Sequence, residues 1–177
     1  MKYTFTILVL IYSYLFSNSI FAEKIKGSPN NNYYCSIPKY DIGETVQVGY
    51  FQYTIDKIEF TRNVSNGLNS KTTNGIFLIA YLTVTNTNRE SRTLTNTMFK
   101  IFDSEGYEYG TSQDAMIVMI LNDKDKIFML KEFPPKISKE IIIPFEVPKQ
   151  DDFYTLEVSG GFGTGKRSYI KINKVKP

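Results

Sequence analysis

The sequence predicts an all-β fold, an antiparallel sandwich of seven to eight strands with one short helix, and three observations carry that reading. Apolar residues recur at every second position in segment after segment, the alternation that turns one face of an extended chain into a core. Those segments are β-branched and aromatic, with 13 Tyr and 13 Phe in 177 residues. Gly, Pro, Asn and Asp break them at the spacing of a sandwich.

The chain opens with Lys2, an apolar run from Phe5 to Phe16 and a small residue, Ala22, before Glu23 and Lys24. This is the build of a secretory signal over residues 1–22, cleaved after Ala22. An uncleaved anchor is the alternative, and the partner expectation includes a membrane only in that case. Residues 23–42, Asn-rich and interrupted by Pro29 and Pro38, read as a flexible arm. Residues 43–177 then form the folded domain, large enough for one hydrophobic core.

Within it, Val46 and Val48 alternate with polar neighbours, followed by Phe51, Tyr53 and Ile55 and then, out of phase, Ile58 and Phe60. A change of phase around Asp56-Lys57 implies a bulge that returns the apolar set to the core. Residues 62–74 are polar and read as a loop. The organising strand comes next: Ile76, Leu78, Ala80, Leu82 and Val84 share one face, while Phe77, Ile79 and Tyr81 give way to Thr83 and Thr85 on the other. That outer face therefore runs from covered to wet. Phe99 and Ile101 lead into the acidic turn Asp103-Ser104-Glu105-Gly106 and on to Tyr107-Glu108-Tyr109, a hairpin.

Thr111 to Asn122 breaks the alternation and reads as a short helix covering one end of the sandwich, with Thr111 or Ser112 as cap. Ile127, Phe128 and Leu130 are expected to re-enter the core. Pro134-Pro135 forces an extended break. Ile141, Ile143, Phe145 and Val147 then line one face of a strand that Pro144, lacking an N–H, places at an edge or bulge. Tyr154, Leu156 and Val158 form the next inward set, the Gly-rich segment 160–165 reverses the chain, and Ile170 and Ile172 mark the last strand.

The ordered set Gly43-Glu44-Thr45-Val46, Leu82-Thr83-Val84-Thr85-Asn86, Phe99 to Gly106, Ile143-Pro144-Phe145-Glu146-Val147-Pro148 and Tyr154-Thr155-Leu156 resembles the telokin-like, immunoglobulin-like bacterial domains of unknown function, a family related to a secreted immunoprotective mycobacterial antigen. The resemblance spans about residues 43 to 173. It implies an immunoglobulin-like sandwich on an exported or membrane-tethered bacterial protein, with no catalytic residues. Many relatives carry a lipobox cysteine at the cleavage site; this chain does not.

The chemistry legible in the residues is sparse. With no histidine, the usual base of Ser and Cys hydrolases and the commonest zinc ligand are missing. Gly160 to Arg167 imitates a phosphate-binding loop, but Arg167 stands where a Ser or Thr is required and a strand follows where a helix should. Asp103 and Glu105 read as turn residues before calcium ligands. No cofactor or metal is expected. Without Lys2 the chain carries 20 basic and 18 acidic side chains, a net charge of +2 scattered along the sequence, too balanced for nucleic acid.

The expected function is a non-catalytic binding or interaction domain, secreted or at the bacterial cell envelope, with a protein partner. Tyr33, Tyr34, Tyr50, Tyr107 and Tyr109, near termini and turns, are the candidate contact surface. The alternative is an assembly subunit that self-associates through an intermolecular disulfide at Cys35, the single cysteine, or through the edge strand around Pro144. An enzyme would have to rely on paired carboxylates.

Overall fold

The computed structural model describes residues 40–120, 132–148 and 153–173. Two four-stranded antiparallel sheets face each other. In the first, β1 (Thr45–Val48), β2 (Phe51–Ser65), β3 (Ser70–Asn86) and β8 (Ser138–Val147) lie in that order. In the second the order is β10 (Arg167–Asn173), β9 (Phe153–Ser159), β5 (Phe99–Phe102) and β6 (Glu108–Tyr109). The short strands β4 (Arg92–Thr93) and β7 (Glu132–Phe133) pair separately. One helix, α1 (Gln113–Ile120), completes the described elements apart from a 3-10 turn at Asn96–Met98.

The alternation places the core where the sequence predicts it. Val46, Val48, Leu78, Ala80, Leu82, Val84, Ile141, Ile143, Phe145 and Val147 from one sheet meet Phe99, Ile101, Tyr154, Leu156, Val158, Ile170 and Ile172 from the other. Ile76, within β3, is only partly buried. The phase change in β2 is a bulge. Ile55 stands opposite Leu82 and Lys57 opposite Tyr81, so Asp56 is the surplus residue and Ile58 turns back inward. Pro144 lies on β8, which is an edge strand, so its missing N–H interrupts no ladder between strands.

Three expectations are corrected. Residues 62–74 are mostly strand rather than loop: β2 and β3 stay paired through Asn63↔Thr72, Val64↔Lys71 and Ser65↔Ser70. The turn contracts to residues 66–69, held by Asn66 Oδ1, which accepts the N–H of Leu68 and of Asn69. Val64 is buried beneath α1, which gives this polar hairpin an apolar anchor.

The helix covers the outer face of the first sheet rather than an end of the sandwich. Thr111 bridges Phe145 and the Ser112 N–H donates to the Pro144 carbonyl at 2.7 Å, which carries the chain over the edge of β8. Beyond that edge Phe77, Ile79 and Ile142 form an apolar patch, and Ala115 of α1 packs on it. The other half of the same face carries hydroxyl pairs, Thr45 with Thr54 and Thr85 with Ser138, so it runs from covered to wet as expected.

Tyr40 and Ile42, assigned to the arm, pack against the core, and the Tyr40 carbonyl accepts the Lys171 N–H. Ile127, Phe128 and Leu130, residues 1–39 and the cleavage site lie outside the described residues.

Candidate functional site

The predicted tyrosines do not gather into one patch. Tyr33, Tyr34 and Cys35 lie outside the described residues. Tyr107 and Tyr109 belong to the β5–β6 hairpin, and Tyr50 to the turn between β1 and β2. β5 enters opposite Val158 at Phe99 and leaves opposite Thr155 at Phe102, while the Tyr50 N–H donates to the Gly160 carbonyl beyond Val158. Tyr50 and the Tyr107–Tyr109 pair therefore occupy opposite ends of the sandwich. Tyr107 is 62% exposed; Tyr109 donates its hydroxyl to Asp103 Oδ2 at 2.8 Å; Tyr50 lies under the Arg92 guanidinium at 4.4 Å.

The carboxylates are engaged one by one. Asp103 is buried, and its Oδ1 accepts the N–H groups of Glu105 and Tyr107, both at 2.9 Å, which is turn chemistry. Asp56 accepts the Thr83 hydroxyl, Glu59 that of Tyr81 and Glu146 that of Thr73. Glu157, buried on β9, pairs with Arg167 at 3.1 Å. A hydrogen bond from Lys57, then one from Tyr81, holds Glu59 below the usual carboxylate range. Burial, then the bond to Glu59, pushes Tyr81 up to about 12. Among the described residues no group of three or more metal-ligating side chains occurs.

What the fold does gather is a cluster of loops. The Gly160 carbonyl accepts the Tyr50 N–H at 3.0 Å, the Tyr50 carbonyl accepts the Thr87 N–H at 2.8 Å, and the Asn86 carbonyl accepts the Lys136 N–H at 2.7 Å. These bonds tie the β9–β10, β1–β2, β3–β4 and β7–β8 connections into one end of the molecule. Gly49 and Gly160 make the junction possible: a Cβ on Gly49 would stand 2.5 Å from the Gly160 carbonyl oxygen, and Gly49 itself has φ +54°.

Six basic residues lie on these loops and adjoining strand ends, Arg89, Arg92, Lys136, Lys139, Lys166 and Arg167, against Glu90, Glu132, Glu140 and Glu157, of which Glu90 pairs with Arg92 and Glu157 with Arg167. The opposite end carries Asp41, Glu44, Asp103 and Glu105 and no basic residue in its two turns, 41–44 and 103–107. Phe162, at the apex of the β9–β10 turn, is fully exposed, and Ile137 of the β7–β8 turn is 49% exposed. Lys136 holds φ 60°, the left-handed region that non-glycine residues seldom occupy. The segment that imitated a phosphate-binding loop is thus a hairpin tip leading into β10.

Among the described residues, the fold thus gathers at one end lysines and arginines that lie far apart in the sequence. The signal available in the sequence was proximity to turns. Arg89, Lys136 and Lys166 each lie within a few residues of a Gly, Pro or Asn break.

Comparison with solved structures finds the same sandwich in bacterial proteins of low sequence identity. The yjhA protein from Bacillus subtilis superposes with a TM-score of 0.58 at 16% identity, over 76% of this chain and 99% of that one. An uncharacterized beta-sandwich protein from Clostridium difficile gives 0.51 at 16%, over 82% of this chain and 100% of the other. The secreted protein MPT63 from Mycobacterium tuberculosis gives 0.50 at 13%, over 78% and 98%. No curated protein matches the sequence. None of these similarities indicates a catalytic family. Residues 40–170 match the family described as Domain of unknown function (DUF4352), and the chain belongs to that family.

Proposed function

We propose that this domain is an exported, non-catalytic binding module of the bacterial envelope or the extracellular space, and that it meets its partner through the end where the four loops converge. The observation that carries this reading is the convergence itself. A rigid sandwich presents four linked loops, an exposed aromatic apex and a surplus of positive charge on one surface. Export is supported by the signal-like residues 1–22 and by the similarity to a protein named as secreted. The carboxylates engaged by hydroxyls and cations favour binding over hydrolysis.

The test is amine-directed crosslinking of the C-terminally tagged chain in its native cells, with mass spectrometry of the crosslinked sites and of the N-terminus. The expected result is a chain beginning at Glu23 whose crosslinks, to a partner protein or to amine-bearing lipid, fall at Lys136 or Lys166. A chain retained in the cytoplasm, or crosslinks confined to lysines away from the loop end, would overturn it. Homodimers that separate on reduction would establish instead a Cys35-linked assembly, the reading favoured by a lone cysteine in an exported chain. The edge around Pro144 is a poorer route to assembly, because Thr111 and Ser112 already occupy it.

A further inference from the structure

We infer that the occupant of the loop end is the surface of an anionic phospholipid bilayer, with Phe162 as the inserted side chain and the surrounding Lys and Arg residues on the headgroups. This rests on the reading of that end as the binding surface and specifies its ligand class. A single exposed apolar side chain is ordinary on a protein surface. Phe162 differs in its setting. It stands at the apex of a turn between Gly161 and Gly163, both with positive φ, so neither flanking residue has a side chain to hinder its approach to a surface.

Behind that apex, Lys136 and Lys166 are exposed, while Arg167 is held by the buried Glu157, two residues deeper on β9 than its strand partner Ser159. Ile137, on the β7–β8 turn at the same end, is a second exposed apolar residue. An apolar tip set among cations matches the layered chemistry of an anionic bilayer, in which phosphates lie outside hydrocarbon.

The two described turns at the far end, 41–44 and 103–107, bear Asp41, Glu44, Asp103 and Glu105, which a negative surface does not attract. A soluble polyanion would engage the cations but would leave Phe162 and Ile137 in water. A bilayer uses both, and each Lys or Arg brought near its surface contributes about fivefold to partitioning.

The chain contains no tryptophan, which makes the test specific to position. Phe162→Trp places a single indole at the apex, and Tyr107→Trp places one at the other end; both positions are exposed, so neither substitution disturbs the core. Each variant, as the exported chain beginning at Glu23, is titrated with vesicles of phosphatidylglycerol and phosphatidylcholine, and with phosphatidylcholine alone. The expected outcome is a blue shift of the Phe162→Trp emission on anionic vesicles only, reversed at about 0.5 M salt as screening shortens the reach of the charges. No comparable shift occurs for Tyr107→Trp. Adding Lys136→Gln and Lys166→Gln weakens partitioning about 25-fold.

No shift at position 162 on anionic vesicles, an equal shift on phosphatidylcholine, or an equal shift at position 107 overturns the inference. If it fails while crosslinking still joins Lys136 or Lys166 to one partner, the binding module stands and only its lipid occupant is lost.

Discussion

At the scale of single residues, Asp103 organises the acidic hairpin with a side chain that accepts two backbone N–H groups and one phenol. Asp103→Ala strands all three donors and is expected to cost about 2 kcal/mol, read from urea unfolding. Asp103→Asn, which keeps one oxygen and the shape of the turn, costs less. The sequence made this residue legible because Asp-x-x-Gly is turn grammar that acts over four residues. It did not reveal the engagement of Tyr109, which offered itself as a surface tyrosine yet turns its hydroxyl onto the carboxylate. A side chain that reads as available for recognition can be spent on its own hairpin.

The elements were legible wherever one face is buried. The inward sets of β3, β8, β9 and β10 follow from period two alone, and the bulge in β2 follows from a break in that period. The β2–β3 hairpin escaped because its paired extension is polar on both faces apart from Val64, which leaves periodicity little to report. The position of α1 escaped because it depends on where an edge strand lies, a fact of topology. The junction of the β1–β2 and β9–β10 turns also rests on tertiary contact. A Cβ on Gly160 would lie 2.8 Å from Gly49 Cα and from Thr164 Oγ1, so Gly160→Ala is expected to cost about 1–3 kcal/mol in chemical denaturation. Gly49→Ala costs more, since it adds a left-handed backbone to a closer clash.

At the scale of the whole molecule, stability should be flat across neutral pH and fall at both extremes. Tyr81, pushed up to about 12 by burial and its bond to Glu59, is favoured as the neutral phenol in the fold. Its contribution is complete below the unfolded value near 10 and is lost as pH rises from 10 toward 12. Tyr53, fully buried with its hydroxyl on the Ser159 carbonyl, is held higher still by desolvation and adds to the same alkaline loss. Glu59, lowered chiefly by Lys57, contributes above the ordinary glutamate pKa, and that contribution disappears as pH falls through its lowered value. Unfolding free energies measured from pH 3 to 12 should show both limbs, with Tyr81→Phe shallower on the alkaline one. The gathering of cations at the loop end was illegible because residues 89, 136 and 166 are joined only by pairings between distant strands.

The surplus residue in β2 sets a rule for how this chain can vary in length. Upstream of Asp56 the inward positions are odd-numbered, Phe51, Tyr53 and Ile55; after it they are even-numbered, beginning with Ile58. Asp56 thus works as a spacer between two reading frames. Its carboxylate is replaceable, since it holds one exposed hydroxyl, but its place in the count is not: deleting it would turn either half of the strand inside out. In this strand the letter at that position can change, but the position cannot be omitted without inverting one of the two faces.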